Sequence, residues 1–160
     1  MKLPPEVVRV LDTGLAQNQV FWTAIAANVL AQTLKLLIDA LLNGRVDWSR
    51  LLETGGMPSS HSATVSALAV GVGFASGWDS PLFAVAAILA LIVMYDATGI
   101  RRQAGKQAEL LNLFVREFQH LFEKGFAPGP VKELLGHSYL EVLVGAILGA
   151  LVAWGSFALF

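Results

Sequence analysis

The chain contains no cysteine, which excludes disulfides, thiolate metal sites and a cysteine nucleophile. It is also poor in charge. Only 14% of its 160 residues are Asp, Glu, Lys or Arg, against roughly 25% in a soluble globular domain. The formal net charge is −1, so no basic surface for nucleic acid is expected. No H-E-x-x-H or other familiar metal-ligand spacing occurs, and neither a metal nor a cofactor is expected. The amino terminus, "MKLPPEVVRVLDTGLAQNQ", lacks the 7–15-residue apolar core of a signal peptide. Insertion would then depend on internal spans. No internal repeat or low-complexity stretch stands out.

What the chain has instead is apolar length. It is 55% hydrophobic with a mean hydropathy of +0.61, and the apolar residues fall in blocks. The expectation is an all-α polytopic membrane bundle forming one domain over 1–160. Four segments approach the roughly 17–25 residues that a spanning helix needs: about 20–42, 60–77, 81–97 and 139–160. The first is weakened by Lys35 and Asp39. Residues 4–16 suggest a short preceding helix with Pro5 in its first turn. Between the third and fourth spans, Leu110, Leu111, Leu113, Phe114, Phe118, Leu121 and Phe122 recur at helical spacing, with charges opposite. That pattern predicts an amphipathic helix on the membrane or against the bundle, ended by "GFAPGP". Gly71, Gly73 and the Gly145-x-x-x-Gly149 pair favour close helix packing.

Basic residues set the expected orientation. Arg45 and Arg50 follow the first span, and Arg101, Arg102, Lys106, Arg116, Lys124 and Lys132 follow the third. Only Lys2 and Arg9 precede the first. With four spans both connections lie on one side, and the positive-inside rule makes it the cytoplasm.

Three polar motifs interrupt this apolar background. In "GGMPSSHSA", Ser59 or Ser60 either caps the second span, with His61 among headgroups, or forms an anion site in which His61 donates a proton. In "LGHSYLEV", Ser138 and Glu141 fit a capping box. Alternatively Glu141 orients His137 four residues away and frees its other ring nitrogen as a nucleophile. The two roles of Glu141 look mutually exclusive. In "MYDATGIRRQAGKQA", Asp96 and the following arginines are either a salt bridge with snorkelling cations or a guanidinium clamp on phosphate. Lys35 and Asp39 carry the same ambiguity. His120, among Arg116, Glu117 and Glu123, reads as a solvated histidine. The second and fourth spans begin on the same side, so His61, His137 and the arginines share one interface and together make a site.

In this order the three motifs resemble the divergent branch of the type-2 phosphatidic acid phosphatases, membrane relatives of vanadium haloperoxidases and acid phosphatases. The likeness runs from about residue 20 to the carboxyl terminus. It implies a metal-independent phosphatase with a phosphohistidine intermediate: His137 as nucleophile, Glu141 as its orienting carboxylate, His61 as general acid and Ser59 as a phosphate-binding hydroxyl. Lys35 matches the lysine of the superfamily's first motif, Lys-x6-Arg-Pro, but Leu42 stands in the place of its arginine. Ser60 replaces the glycine of Pro-Ser-Gly-His, and Pro130 and Val131 replace the Ser-Arg that precedes the nucleophile. Chemical reasoning then gives the lost positive charge to Arg101 and Arg102, with Lys35, beside Asp96 and Ser60 in the substrate site.

The function expected is hydrolysis of a lipid phosphomonoester or diphosphate. A phosphatidylglycerophosphate-like substrate is favoured, with an isoprenoid diphosphate as competitor. The alternative is a non-catalytic anion- or lipid-binding scaffold or transporter subunit. Expected partners are the lipid substrate and membrane lipids; homo-oligomerisation is left open.

Overall fold

A computed structural model describes residues 14–48, 55–118, 131 and 136–159, with Arg101 described by its backbone alone. The suggested helix over 4–16, the end of the amphipathic segment with His120, Leu121 and Phe122, and the "GFAPGP" break lie outside these residues, apart from the turn at 14–16. The described elements are five helices: α1 Gln19–Asn43, α2 Ser60–Ser76, α3 Pro81–Thr98, α4 Ile100–Glu117 and α5 Tyr139–Leu159.

Local chemistry marks the helix ends. Asn18 caps α1 by accepting from the Phe21 N–H at 3.0 Å, and Gly44 ends it with φ 68°. A left-handed residue of this kind terminates helices cheaply because glycine has no Cβ. Ser80 accepts from the Phe83 N–H at 3.1 Å, and Pro81 opens α3, where a missing N–H costs nothing. Gly99 alone separates α3 from α4.

The burial pattern is inverted relative to a water-soluble bundle. Ala27, Ala31, Ala63, Ala67 and Ala153 form the main core cluster. The largest fully buried side chains described are Ser59 and Ser62. Leucines, isoleucines and valines point outward instead, among them Val29, Leu37, Val85, Ile88, Leu143, Ile147 and Leu151. In water such a surface would aggregate; in lipid it is the matching solvent. Hydrocarbon provides no hydrophobic drive between helices, so association rests on close backbone packing and interhelical hydrogen bonds. Both are present. Asn28 Nδ2 donates to Thr64 Oγ1 at 2.9 Å, and Gln19 Nε2 donates to the Ser156 carbonyl at 3.0 Å.

Helix α2 is the hub, packed against α1, α3 and α5. By length and apolarity α1, the run containing α3, and α5 can each cross a membrane. Helix α2, at 17 residues, spans about 25 Å and is enclosed by the other three. The contacts fix an up-down-up-down arrangement. At one end the Ser59 N–H, before α2, donates to the Glu141 carbonyl at the start of α5 (3.1 Å), and the His137 N–H donates to the Ala97 carbonyl at the end of α3 (2.9 Å). At the other end Gln19 of α1 meets Ser156 of α5, and Phe74 of α2 stacks on Phe157 of α5. Four apolar helices thus alternate in direction, and three of them are long and apolar enough to cross a membrane.

The Gly145 and Gly149 pair is the seam between α5 and α2. A Cβ at Gly145 would strike the Ser59 carbonyl oxygen, and one at Gly149 the Ala63 carbonyl oxygen. These obstacles are backbone atoms that cannot rotate away. Gly149→Ala is therefore expected to destabilise the bundle by about 1–3 kcal/mol or more, read as a lower unfolding temperature in detergent. Gly155→Ala, with nothing within 4 Å of the added carbon, should leave that temperature unchanged.

The amphipathic helix buries a different face from the one its leucines suggest. Leu110, Leu111, Leu113, Phe114 and Phe118 are all exposed, while Gly105, Ala108 and Asn112 are buried. Small residues are again the covered ones, and among the described helices α4 packs only against α3.

Candidate active site

The site is built where three helix ends meet. Ser59 caps α2: its Oγ accepts from the Ser62 N–H at 3.4 Å and from the Ser62 hydroxyl at 3.0 Å. Ser59, Ser60 and Ser62 are all buried. The first turn of α2 carries no acidic residue, so the positive end of its dipole is not offset locally, and such an end attracts anions. His61 occupies the second position of this helix and is exposed.

At the start of α5 both readings of Glu141 hold at once. The Ser138 hydroxyl accepts from the Glu141 N–H at 3.3 Å, and the Ser138 N–H donates back to Glu141 Oε2 at 3.4 Å. That is the reciprocal geometry of a capping box. The same Oε2 sits 2.8 Å from His137 Nδ1. The expected conflict between the two roles is therefore corrected. A carboxylate oxygen has two lone-pair directions, and His137, one residue before the cap, approaches Oε2 without displacing the Ser138 N–H.

With Glu141 ionised, its carboxylate accepts from Nδ1–H, and in the neutral ring Nε2 then presents its lone pair. Among the described residues Nε2 is buried without a hydrogen-bond partner, and His137 as a whole is 4% exposed. An unpaired buried acceptor costs about 1–3 kcal/mol, and such expense concentrates where chemistry needs it. The His61 ring centroid lies 6.4 Å from that of His137.

The remaining site residues divide. Lys35 of α1 is buried, and its stem lies beside Gly56, whose φ of 88° favours glycine. Lys35, Asp39, Gly55, Gly56 and Met57 line a pocket of about 230 Å3. Asp39 also accepts from Asn43 Nδ2 at 3.0 Å. Asp96 is half-buried, one residue before the Ala97 carbonyl that holds His137. Arg102 is exposed. Arg101 belongs to the first turn of α4. Among the described residues no group of three or more His, Asp or Glu is placed to hold a metal ion.

One positioning element escaped the motifs. The buried Asn112 side chain brackets the main chain of Val131: Nδ2 donates to its carbonyl at 2.7 Å, and its N–H donates to Oδ1 at 2.8 Å. Val131 stands six residues before His137. The signal in the sequence was a lone amide on the small-residue face of an otherwise charged helix.

A family model described as "Divergent PAP2 family" matches residues 16–152, which include every part of this site. The chain belongs to that family. It is also 44% identical over 147 residues to the Bacillus subtilis protein named "Uncharacterized membrane protein YuiD", an overlap of 86% of this chain and 93% of the relative. No solved structure matches the chain. A divergent PAP2 protein is a phosphatase-related membrane protein, and its departures from the wider superfamily acquire a location here. Val131, in the place of the superfamily arginine, is the residue clamped by Asn112 on α4, the helix whose first turn carries Arg101 and Arg102.

Proposed function

We propose that this divergent PAP2 protein is a metal-independent lipid phosphatase, a phosphoric ester hydrolase working through a phosphohistidine. The observation that carries the reading is His137, held through Nδ1 by Glu141 at 2.8 Å, with Nε2 buried and unpartnered among the described residues. Nε2 attacks phosphorus in line, and the bond to the leaving oxygen breaks. His61 passes its proton to the departing alkoxide. Water then attacks phosphorus and gives a proton to His61, and the nitrogen–phosphorus bond breaks to return His137 and inorganic phosphate.

Charge collects on the equatorial oxygens during both steps, so donors fixed there beforehand carry much of the catalysis. The amino end of α2 at Ser59 and Ser60, together with Lys35 and Arg101, supplies them. Asp96 holds the basic cluster in place. Arg101 is preferred over Arg102 because Arg102 is exposed. Arg101→Ala should cut kcat/KM by about 10²–10³-fold, in the range for loss of one preorganised donor. Arg102→Ala should change it little, and steady-state assays of the two variants check the ranking.

The Lys and Arg residues of the two connections that flank the active site support a cytoplasmic face for it. A phosphatidylglycerophosphate-like lipid suits that face better than an isoprenoid diphosphate. The central test is purified protein with a panel of phospholipid phosphomonoesters and prenyl diphosphates. Release of phosphate should survive EDTA and be stopped by vanadate, which mimics the trigonal-bipyramidal transfer state and binds more tightly than substrate. Full loss in EDTA, restored by a divalent ion, would overturn the histidine mechanism. Vanadate binding with no phosphate released from any lipid would favour the non-catalytic scaffold or transporter subunit.

A further inference from the structure

Between α3 and α5 runs an open groove of about 510 Å3 whose walls include Leu91, Ile92, Tyr95, Thr98, Tyr139 and Val142. Its upper end adjoins the catalytic pair. Tyr139 follows His137 by two residues, Val142 follows Glu141 directly, and Thr98 follows Ala97, whose carbonyl accepts from the His137 N–H. The walls offer almost no polar surface, and the Thr98 hydroxyl is already donating to the Met94 carbonyl at 3.1 Å.

Two further observations orient the groove. The chain has two tyrosines and both stand on this groove, Tyr95 at 75% and Tyr139 at 70% exposure. Exposed tyrosine rings collect at headgroup level, where the ring is in apolar surroundings and the phenol in water. From Thr98 back to Leu91 α3 rises about 10 Å, so the groove descends from that level into the hydrocarbon. A water-soluble phosphate ester has no use for such a surface.

We infer that the groove seats a hydrocarbon chain of the lipid whose phosphate reaches His137, which makes Leu91, Ile92 and Val142 chain-selecting residues. This rests on the phosphatase reading above and adds to it a site for the apolar half of the substrate. Lipid tails are as apolar as the groove, so moving a chain into it brings no hydrophobic gain. Its contribution is orientation: a seated chain holds phosphorus in line with Nε2, and misplacement by about 1 Å costs on the order of 10²-fold in rate.

The experiment uses the full chain in phosphatidylcholine bilayers and a non-hydrolysable phosphonate lipid with a photoreactive diazirine at mid-chain. Labelling should concentrate on Leu91, Ile92 and Val142, fall when excess unlabelled phosphonate is added, and be lost from Val142 in Leu91→Trp. Labelling spread over outward residues such as Val29 and Leu151, undiminished by competitor, would show ordinary boundary lipid and overturn the inference. Crosslinking of one copy to another through the groove would overturn it as well. In turnover, Leu91→Trp should slow hydrolysis of a long-chain substrate by about tenfold or more and spare a water-soluble short-chain ester of the same phosphate. Equal effects on both substrates would count against a chain site. Competed labelling in a protein that hydrolyses neither would support the groove while refuting the hydrolase.

Discussion

Replacing His137 by alanine should abolish phosphate release from every substrate, whatever its leaving group, while the protein stays folded. The imidazole is the only group in this account that bonds to phosphorus, so nothing substitutes for it. The fold should survive because the anchor at this position is main chain: the His137 N–H reaches the Ala97 carbonyl at 2.9 Å, and alanine keeps that bond. Glu141→Gln should fall between wild type and His137→Ala. The amide oxygen can still accept from Nδ1, but the negative charge that stabilises the developing cation is gone. Changing the carboxylate that orients a catalytic histidine to its amide costs up to about 10⁴-fold in a serine-protease triad, and kcat should drop toward that scale. Unfolding temperatures measured alongside separate catalysis from stability, since loss of the capping-box carboxylate also weakens the start of α5.

His61→Ala should give the second large effect, and a selective one. Loss of a general acid slows departure of an alkoxide by about 10²–10⁴-fold, so hydrolysis of lipid monoesters should fall in that range. p-Nitrophenyl phosphate, whose leaving group needs little protonation, should recover much of the rate in His61→Ala and none of it in His137→Ala. The placement of His61 favours this outcome. It is exposed at the second position of α2, while Ser59 does the capping, so removing the ring leaves the cap intact. Rates that are equal to wild type and independent of leaving group would reduce His61 to a surface residue.

The four apolar helices were legible because a bilayer permits few alternatives: a long uncharged run must satisfy its own backbone, and a helix does so. The starts of the second and fourth spans were legible through Ser59 and Ser138, whose short side chains favour positions where the chain enters a helix. The core was less legible. Alanine and serine fill it while leucine faces outward, and nothing in an apolar run states which face meets protein until the helices are paired. The same ambiguity hid the inner face of the amphipathic helix, where the leucine stripe drew the eye and Gly105, Ala108 and Asn112 are the buried positions. The double role of Glu141 depends on the direction from which His137 approaches one oxygen, and spacing cannot encode that. The Asn112–Val131 clamp joins residues 19 apart, beyond the reach of any helical periodicity.

The central claim is a covalent bond between His137 and phosphorus. The most direct measurement is to quench the protein with alkali during turnover of a lipid carrying labelled phosphate and to map the label by peptide mass spectrometry. A phosphoramidate survives alkali and is lost in acid. The account predicts label on His137, stable to alkali, labile to acid and absent from His137→Ala. Acid-stable label on a serine such as Ser59 or Ser60, or label of unchanged amount in His137→Ala, would contradict it.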